Sequence, residues 1–282
     1  MDEELEHHYS HLAETYDSTW AHRPDYLDWM EEQINARLAL RRGDRIADIG
    51  AGTGLFLRRL LEYATEETPL VCVDPSQPML DRLPDDPRLL AVRATAEDLA
   101  HAAEAPAGQD GSGKADSGRD GPGRDGSRQG SLGSFDAIVI KEAVHHFADL
   151  HGTLAGLARR LAPGGRMLVV TLPPKLEYPL FQRALNRFAA NQPEPGEIET
   201  AMRDAGLEVA TGHAAFPVRV ERDHWLELVR NRWMSVLSTF SDAELADGLA
   251  EIADTAGAGP GGLLEFPDRF AFIEGRAPEG GR

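Results

Sequence analysis

Short apolar runs and segments with helical periodicity alternate along most of the chain. We predict helices between the apolar runs, at Leu55–Tyr63, at Met79–Leu83, from Ala96 and at Leu150–Leu161. Strands that alternate with helices predict a parallel sheet covered on both faces, which is an α/β fold. The five runs predicted as strands are Arg45–Gly50, Leu70–Asp74, Leu89–Arg93, Phe135–Ile140 and Arg166–Thr171.

Helical segments flank this pattern at both ends. Apolar residues recur at helical spacing in residues 3–40, so we predict an N-terminal helical lid. Residues 222–256 have the same periodicity, and we predict a helical cap packed over one end of the sheet. The predicted units are the lid 1–42, the central domain 43–221, the cap 222–262, and a final strand, Phe270–Ile273, within the tail 263–282.

Residues 105–134 have a different composition from the rest of the chain. They are dominated by Gly, Asp, Ser and Arg and show no apolar period. Such a composition is typical of a flexible, solvated segment. We therefore predict a flexible surface insertion between the third and fourth strands.

A glycine-rich turn follows the first predicted strand. Residues Asp48 to Gly54 are Asp-Ile-Gly-Ala-Gly-Thr-Gly, so glycines stand at Gly50, Gly52 and Gly54 behind an acid. Glycines permit a tight turn and let a ligand approach the backbone closely. The spacing differs from the G-x-G-x-x-G of dinucleotide-binding proteins. A strand before the turn and a helix after it predict a cofactor-binding site.

Polar residues also follow the second and third strands. Asp74 ends the second strand, where a carboxylate can accept two hydrogen bonds from a ribose diol or can cap the next helix. Beside the glycine turn we favour the ribose. Thr95, Glu97 and Asp98 follow the third strand, where they can contact an adenine or cap a helix.

These three elements, in this order, resemble the class I S-adenosylmethionine-dependent methyltransferases. The chain is similar to the small-molecule enzymes of the ubiquinone/menaquinone-biosynthesis and trans-aconitate methyltransferase type. The resemblance covers roughly residues 9–175. Its further parts are a lid motif, the fourth strand and the turn before the fifth: Tyr16-Asp17 with Arg23, Phe135–Val139, and Leu161–Arg166.

The resemblance implies a Rossmann-like sheet of seven strands with the last antiparallel, and S-adenosylmethionine as cofactor. It implies that the three glycines lie near the methionine part, Asp74 at the ribose, and Glu97 or Asp98 near the adenine. Relatives usually carry an acid where this chain has Thr95, which leaves the adenine partner open among the three. The residues that we expect to bind the cofactor are Tyr16, Arg23, Asp48, Gly50, Gly52, Gly54, Asp74, Ala96, Glu97, Asp98 and Lys141.

The candidate catalytic residues follow the fourth strand, at the edge of a parallel sheet where ligands bind. His145 and His146 are candidate general bases, because histidine titrates near neutrality; the alternative is that they only pack or hydrogen-bond. We prefer His145 because residues soon after the strand face the cleft. Lys141 and Glu142 form a salt bridge in one interpretation and face the substrate in the other.

Charge and composition limit the classes of partner. The formal net charge of −18 over 282 residues disfavours nucleic acids and anionic membranes. The lone Cys72 cannot form an internal disulfide, no apolar stretch spans a membrane, and no set of residues shows metal-ligand spacing. The acidic, polar N-terminus has no secretory signal, so we expect a cytoplasmic protein, with a homodimer left open.

The predicted function is methyl transfer from S-adenosylmethionine to a C, O or N atom of a small molecule, in natural-product or secondary metabolism. The alternative is a cyclase or decarboxylase of the same fold that binds the cofactor without transferring its methyl group.

Overall fold

The sheet of this protein has seven strands. The computed structural model describes residues 19–101, 132–255 and 262–280. Tyr16 and most of the predicted insertion, residues 105–131, lie outside these ranges. The strands are β1 (Ile46–Ile49), β2 (Leu70–Asp74), β3 (Leu89–Arg93), β4 (Phe135–Lys141), β5 (Leu161–Thr171), β6 (Glu208–Glu221) and β7 (Leu263–Arg276).

The strand order confirms the predicted α/β, Rossmann-like fold class. The order is β3-β2-β1-β4-β5-β7-β6. Strands β1 to β5 run parallel to one another, while β7 pairs antiparallel with both β5 and β6. The prediction of seven strands with an antiparallel last strand is therefore correct.

Helices cover both faces of the sheet. Strand residues alternate between two apolar clusters, because successive side chains of a strand point to opposite faces. One cluster includes Tyr26 and Trp225, and the other includes Leu99 and Leu154. The α-helices are α1 (Pro24–Leu38), α2 (Leu57–Leu60), α3 (Gln77–Leu80), α4 (Ala96–His101), α5 (Leu150–Arg159), α6 (Gln182–Asn191), α7 (Pro195–Asp204), α8 (Arg222–Arg230), α9 (Ser235–Ser238) and α10 (Asp242–Thr255).

Strand β7 is much longer than the predicted Phe270–Ile273, and β6, for which no strand is predicted above, is equally long. Each has 14 residues, and only the end of β7 nearest Arg276 also pairs with β5. The rest forms a two-stranded ribbon with β6 that runs from Ala214 paired with Phe270 to Glu221 paired with Leu263. The ribbon buries one side of β6, since Phe216, Val218 and Val220 are buried while the residues between them are exposed.

The predicted cap is three helices rather than one block. Helices α8, α9 and α10 follow the ribbon, and α6 packs with them although it precedes the predicted cap boundary. The Arg187 guanidinium on α6 donates to the Thr239 carbonyl at 2.8 Å, and the Gln182 N–H donates to Glu251 at 2.7 Å. We call α6, α8, α9 and α10 the cap.

The predicted insertion extends too far toward β4. Leu132 is buried in the core, and its carbonyl accepts a hydrogen bond from the Arg45 guanidinium. Residues 132–134 therefore belong to the folded domain, because an apolar side chain at 132 has core neighbours to pack against. Among the described residues, no helix has the length and hydropathy needed to cross a membrane.

Candidate active site

A cavity of about 580 Å³ opens beside the carboxyl ends of the parallel strands and extends to the cap. One end of the cavity adjoins β2 and the other adjoins β7, which lies four strand positions away in the sheet. We define the sheet end of the cavity by Gly50, Asp74 and Glu97. We define the cap end by Tyr178, Gln192, Trp233 and Asp268.

The glycine turn forms one wall of the sheet end. Gly50 has a φ of +75° and Gly52 a φ of +55°, and both line the cavity. A Cβ atom on Gly50 would stand 2.4 Å from the Cβ of Ala143, so the turn approaches the loop after β4 too closely for any side chain. Gly54 also has a positive φ, but it is not among the lining residues; its N–H donates to the Ala51 carbonyl at 3.0 Å.

Asp74 joins the turn after β1 to the turn after β2. Its Oδ2 accepts the Gly52 N–H at 2.9 Å, and its Oδ1 accepts the Ser76 N–H at 2.8 Å. Burial raises the pKa of this carboxyl, and the two N–H donors oppose that rise. Asp74 thus helps to order the start of α3 and also lines the cavity, while its contact with a ribose stays a prediction.

Ser76 is a lining residue that the sequence analysis missed. It is 2% exposed, and its Oγ has no hydrogen-bond partner among the described residues. A buried hydroxyl without a partner costs free energy unless a ligand or a water satisfies it. The serine follows Asp74 by two positions, and nothing in the sequence pattern alone distinguishes it from a helix cap.

The three candidates for the adenine contact separate in the structure. Thr95, Ala96 and Glu97 line the cavity, and Asp98 is not among the lining residues. Asp98 instead accepts the Thr95 N–H at 3.0 Å and donates its own N–H to the Thr95 Oγ1 at 3.0 Å. This reciprocal pair is a capping arrangement, and it satisfies backbone donors at the start of α4. Glu97 accepts the Ala148 N–H at 2.9 Å and joins α4 to the loop after β4.

Asp48, which is buried, and Lys141, which is partly exposed, both line the cavity. Burial raises the pKa of Asp48 to about 7, an effect that Lys141 opposes and Asp74 reinforces. Lys141 ends β4, and its Nζ lies 2.5 Å from the Glu142 Oε2 and 4.5 Å from the centroid of the Phe56 ring. The salt bridge considered in the sequence analysis is therefore present, and both members of it also line the cavity.

Glu142 has an unusual backbone. Its φ is +51°, in the left-handed region that residues other than glycine seldom adopt. Its N–H donates to the Val170 carbonyl at 2.8 Å, which fixes the chain as it leaves the sheet. Such strain is frequent where a site needs a side chain at a fixed position.

His145 and His146 both line the cavity, as predicted. Their ring centroids lie 4.0 Å apart, and the buried Nδ1 of His145 has no hydrogen-bond partner among the described residues. Burial lowers the pKa of His145 to about 4. His146 keeps more exposed surface than His145, and desolvation of its ring, together with His145, lowers its pKa to about 3. Both rings are therefore neutral at pH 7 and are weak bases.

The cap end contains a polar pair that the sequence analysis missed. The Tyr178 hydroxyl donates to the Asp268 Oδ1, and both residues are buried. They come from the loop after β5 and from the ribbon part of β7, 90 positions apart in the chain. No local motif marks either residue, so only the folded sheet reveals the pair.

Arg23 and Tyr16 complete the set of predicted cofactor residues. Arg23 is exposed, forms an ion pair with Asp25 at 2.5 Å and is not among the lining residues. Tyr16 lies outside the described residues. From the N-terminal segment, the structure instead brings Thr19, Ala21 and Tyr26 to the cavity.

Comparison with known proteins gives a family match for the middle of the chain. Residues 47–167, which run from the second residue of β1 into β5, match a family model described as a methyltransferase domain. A demethylmenaquinone methyltransferase of Thermus thermophilus is 35% identical over an alignment that covers 32% of this chain. The chain spans about half the length of this curated relative, with 47% covered.

Solved structures match over most of the chain. A protein of Anabaena variabilis, described as a methyltransferase from an antibiotic biosynthesis pathway, has a TM-score of 0.60 at 18% identity, with 88% of this chain and 96% of that chain covered. The [4+2]-cyclase SpnF has a TM-score of 0.52 at 14% identity, with 90% and 85% covered. At these identities the likeness shows a shared fold.

Proposed function

We propose that this chain is a class I S-adenosylmethionine-dependent methyltransferase that methylates a small molecule of secondary metabolism, since its residues 47–167 match a methyltransferase-domain model. One observation carries the proposal. A single cavity runs from the glycine turn and Asp74 to the aromatic and polar side chains of the cap end. Its volume of about 580 Å³ is in the range of small-molecule sites.

The residues at the sheet end fit S-adenosylmethionine. The absence of a side chain at Gly50 and Gly52 leaves backbone surface that a ligand can approach. The oxygens of Asp74 have lone pairs beyond those used by Gly52 and Ser76, so they can accept hydroxyl groups of a ribose. The Ser76 hydroxyl supplies a further group that a bound ligand would satisfy.

The cofactor, when bound, supplies an electrophilic methyl group on a cationic sulfur. The protein's part is to hold the acceptor atom in line with that methyl group and to exclude water. Lys141 and Glu142, at the end of β4, lie where the acceptor must approach. His145 and His146 are neutral and can take up a proton, but their lowered pKa values make them inefficient at abstracting one in the free protein.

The test of this proposal is product formation. Purified protein should be incubated with methyl-labelled S-adenosylmethionine and a library of small-molecule acceptors, while release of S-adenosylhomocysteine is followed. We expect acceptor-dependent release together with label in the acceptor. Failure to bind S-adenosylmethionine or S-adenosylhomocysteine by calorimetry would refute the assignment.

The alternative function is a cyclase or decarboxylase that uses the bound cofactor without methyl transfer. The shared fold of the [4+2]-cyclase SpnF supports it, because the shape and alignment that the described lining residues offer can serve a cyclisation as well as a methyl transfer. Product analysis separates the two. In the alternative case the acceptor is converted, while no S-adenosylhomocysteine is released and no label is transferred.

A further inference from the structure

Lys141 and Glu142 form an ion pair where β4 leaves the sheet. Ile140 of β4 pairs with Ile49 of β1, so Lys141 leaves the sheet beside Gly50, the first glycine of the turn. The Lys141 Nζ lies 2.5 Å from the Glu142 Oε2, and both residues line the cavity. The side chain of Lys141 is 12% exposed and that of Glu142 is 33% exposed. Two opposite charges therefore lie at the cavity wall next to the glycine turn.

Both charged groups are held in place. The ring centroids of Phe56 and Phe270 lie 4.5 Å and 5.5 Å from the Lys141 Nζ, and aromatic faces at these distances attract an ammonium. Glu142 has its left-handed φ of +51°, and its N–H donates to the Val170 carbonyl at 2.8 Å. Strained backbone of this kind clusters at active sites and where ligands are clamped.

The pair has hydrogen-bonding capacity left for a ligand. A lysine ammonium has three N–H donors, and Glu142 is its one hydrogen-bonding partner among the described residues. A carboxylate can accept with both of its oxygens, and within the described part of the chain Lys141 is the one donor to the Glu142 side chain. Lys141 can therefore donate to an anionic group of a ligand, and Glu142 can accept from a cationic group.

The glycine turn has few donors to offer a ligand carboxylate. The Gly50 and Ala51 N–H groups both donate to the Val73 carbonyl, at 2.8 Å and 3.1 Å. The Gly52 N–H donates to Asp74 at 2.9 Å, and the N–H of the last glycine of the turn donates to the Ala51 carbonyl at 3.0 Å. Most N–H groups of the turn are thus used within the protein, so a bound carboxylate depends on a side chain for charge-assisted hydrogen bonds.

Lys141 is the cation best placed to bind such a carboxylate. Among the described residues that line the cavity, it is the single Lys or Arg. Residues 1–22 contain no lysine or arginine, while Arg23 is exposed, pairs with Asp25 at 2.5 Å and is not a lining residue. The two histidines of the cavity are neutral at pH 7, because burial lowers their pKa values. A carboxylate that enters this acidic cavity without a cation would be costly to desolvate.

From this geometry we infer that Lys141 and Glu142 together bind the amino-acid end of S-adenosylmethionine, Lys141 through its carboxylate and Glu142 through its ammonium. The inference rests on the proposed function, and it names the residues that hold the methyl donor. The amino-acid end is a zwitterion, so its two charges complement the two opposite charges of the pair. Two methylene groups separate its α-carbon from the sulfur, so these residues also lie near the place where the acceptor must approach.

Four related ligands test the assignment by calorimetry on the full-length protein. S-adenosylhomocysteine has both charges of the amino-acid end, and 5′-deoxy-5′-methylthioadenosine has neither. The decarboxylated analogue, with a 3-aminopropylthio group, has the ammonium alone, and the deaminated analogue, with a 3-carboxypropylthio group, has the carboxylate alone. The wild type should bind S-adenosylhomocysteine about tenfold or more tightly than each of the others, since a lost charge removes a charge-assisted hydrogen bond. Equal affinity for S-adenosylhomocysteine and methylthioadenosine would overturn the inference.

Two variants should give a crossed pattern. Lys141→Met should weaken S-adenosylhomocysteine and the deaminated analogue about tenfold or more, without weakening the decarboxylated analogue. Glu142→Gln should weaken S-adenosylhomocysteine and the decarboxylated analogue by about the same factor, without weakening the deaminated analogue. The matched controls are Lys175→Met and Glu177→Gln, at exposed positions that do not line the cavity, and they should leave all four affinities unchanged.

The outcomes separate this assignment from the proposed function. A purely structural ion pair would weaken all four ligands alike, methylthioadenosine included, and that result would overturn the inference; so would unchanged affinities in both variants. Each variant removes a different charge, so if one fails to fold, the other still gives half of the crossed pattern. Binding of S-adenosylhomocysteine without the crossed pattern overturns the inference alone, whereas a wild type that binds none of the four ligands overturns the proposed function as well.

Discussion

Individual side chains in this cavity serve the fold and the site at once. Asp74 accepts N–H groups from two turns, so it orders the backbone on both sides of the predicted ribose contact. Asp48 is an acid whose burial favours its neutral form. The effect of replacing Asp74 should depend on whether a ligand is bound, and the effect of replacing Asp48 should depend on pH. Each role can therefore be measured separately.

Replacement of Asp74 by Ala should weaken S-adenosylhomocysteine binding about ten- to a hundredfold, since a charge-assisted hydrogen bond contributes roughly 1.5–3 kcal/mol. Calorimetry on folded protein measures this. Asp81→Asn is the matched control, because Asp81 lies at the end of the same short helix and is exposed. Equal affinities in the wild type and the Asp74 variant would exclude a ribose contact.

Asp48→Asn should stabilise the protein more at pH 8 than at pH 5. The native pKa of Asp48, about 7, lies above the ordinary value of 3.8, so between these values the folded protein holds a proton that the unfolded chain has lost. Stability therefore falls as pH rises through this window, and the asparagine removes that loss. The difference between variant and wild type should grow by roughly 2–3 kcal/mol from pH 5 to pH 8. Denaturant titration at both pH values measures it; a constant difference would contradict the assignment.

A catalytic role and a packing role for the histidines predict different effects of substitution on turnover. If His145 removes a proton during transfer, His145→Gln should lower turnover by ~10²–10⁴-fold with little change in cofactor affinity. The same change at His146 is the comparison, since the two rings lie 4.0 Å apart. Full turnover in both single variants and in the double variant would leave alignment of the acceptor as the sufficient mechanism.

At the scale of elements, the turn after β1 and the loop after β4 fit against each other. Gly50→Ala combines a left-handed backbone with a Cβ 2.4 Å from that of Ala143, whereas Gly52→Ala has the same backbone penalty and no atom within 4 Å. We expect the free energy of unfolding of both variants to fall by about 1–2 kcal/mol because of the strained backbone. In Gly50→Ala it should fall clearly further, and cofactor binding should be lost as well.

A second substitution isolates the contact between the two elements. Ala143→Gly in the Gly50→Ala background removes the obstructing methyl group, so part of the lost stability and affinity should return. Denaturant titration with and without S-adenosylhomocysteine provides both values for a double-mutant cycle. Additive effects of the two substitutions would show that the close approach of the elements does not limit the turn.

The elements also show how far the sequence predicts this molecule. The five parallel strands were predictable because buried strands are continuous apolar runs, as in β1 and β2. The length of β6 was not predictable, because its exposed positions alternate with buried ones and its first half contains few apolar residues. β5 begins at Leu161, earlier than predicted, because its register with β4 shifts between Phe135 and Ala137 and thereby accommodates the Pro-Gly-Gly turn within the strand.

The candidate site divides in the same way. The sheet end was predictable because its residues follow consecutive strands, and the ends of parallel strands meet at one edge. The cap end was not, because Tyr178 and Asp268 approach each other only after a 90-residue stretch of chain folds between them. Contacts of this kind depend on the ribbon, whose length the sequence pattern did not predict.

At the scale of the whole molecule, charge connects the surface to the cavity. The formal net charge is −18, and five acids with one lysine are among the described residues that line the cavity: Asp48, Asp74, Glu97, Glu142 and Asp268, with Lys141. The summed field of such a molecule attracts cations toward the cavity. S-adenosylmethionine carries one net positive charge, from its sulfonium and ammonium groups and its carboxylate, while S-adenosylhomocysteine lacks the sulfonium charge.

Salt should therefore weaken the binding of S-adenosylmethionine more than that of S-adenosylhomocysteine. The Debye length falls from about 30 Å at 10 mM salt to about 8 Å at 150 mM, so distant acids on the protein stop contributing while contacts inside the cavity persist. We expect the affinity for S-adenosylmethionine to fall several-fold between these concentrations and the affinity for S-adenosylhomocysteine to change little. The neutral product is thus an internal control for effects of salt on the fold. Parallel salt dependences for the two ligands in calorimetry would mean that recognition depends on groups inside the cavity alone, and that the acidic surface has no part in collecting the cofactor.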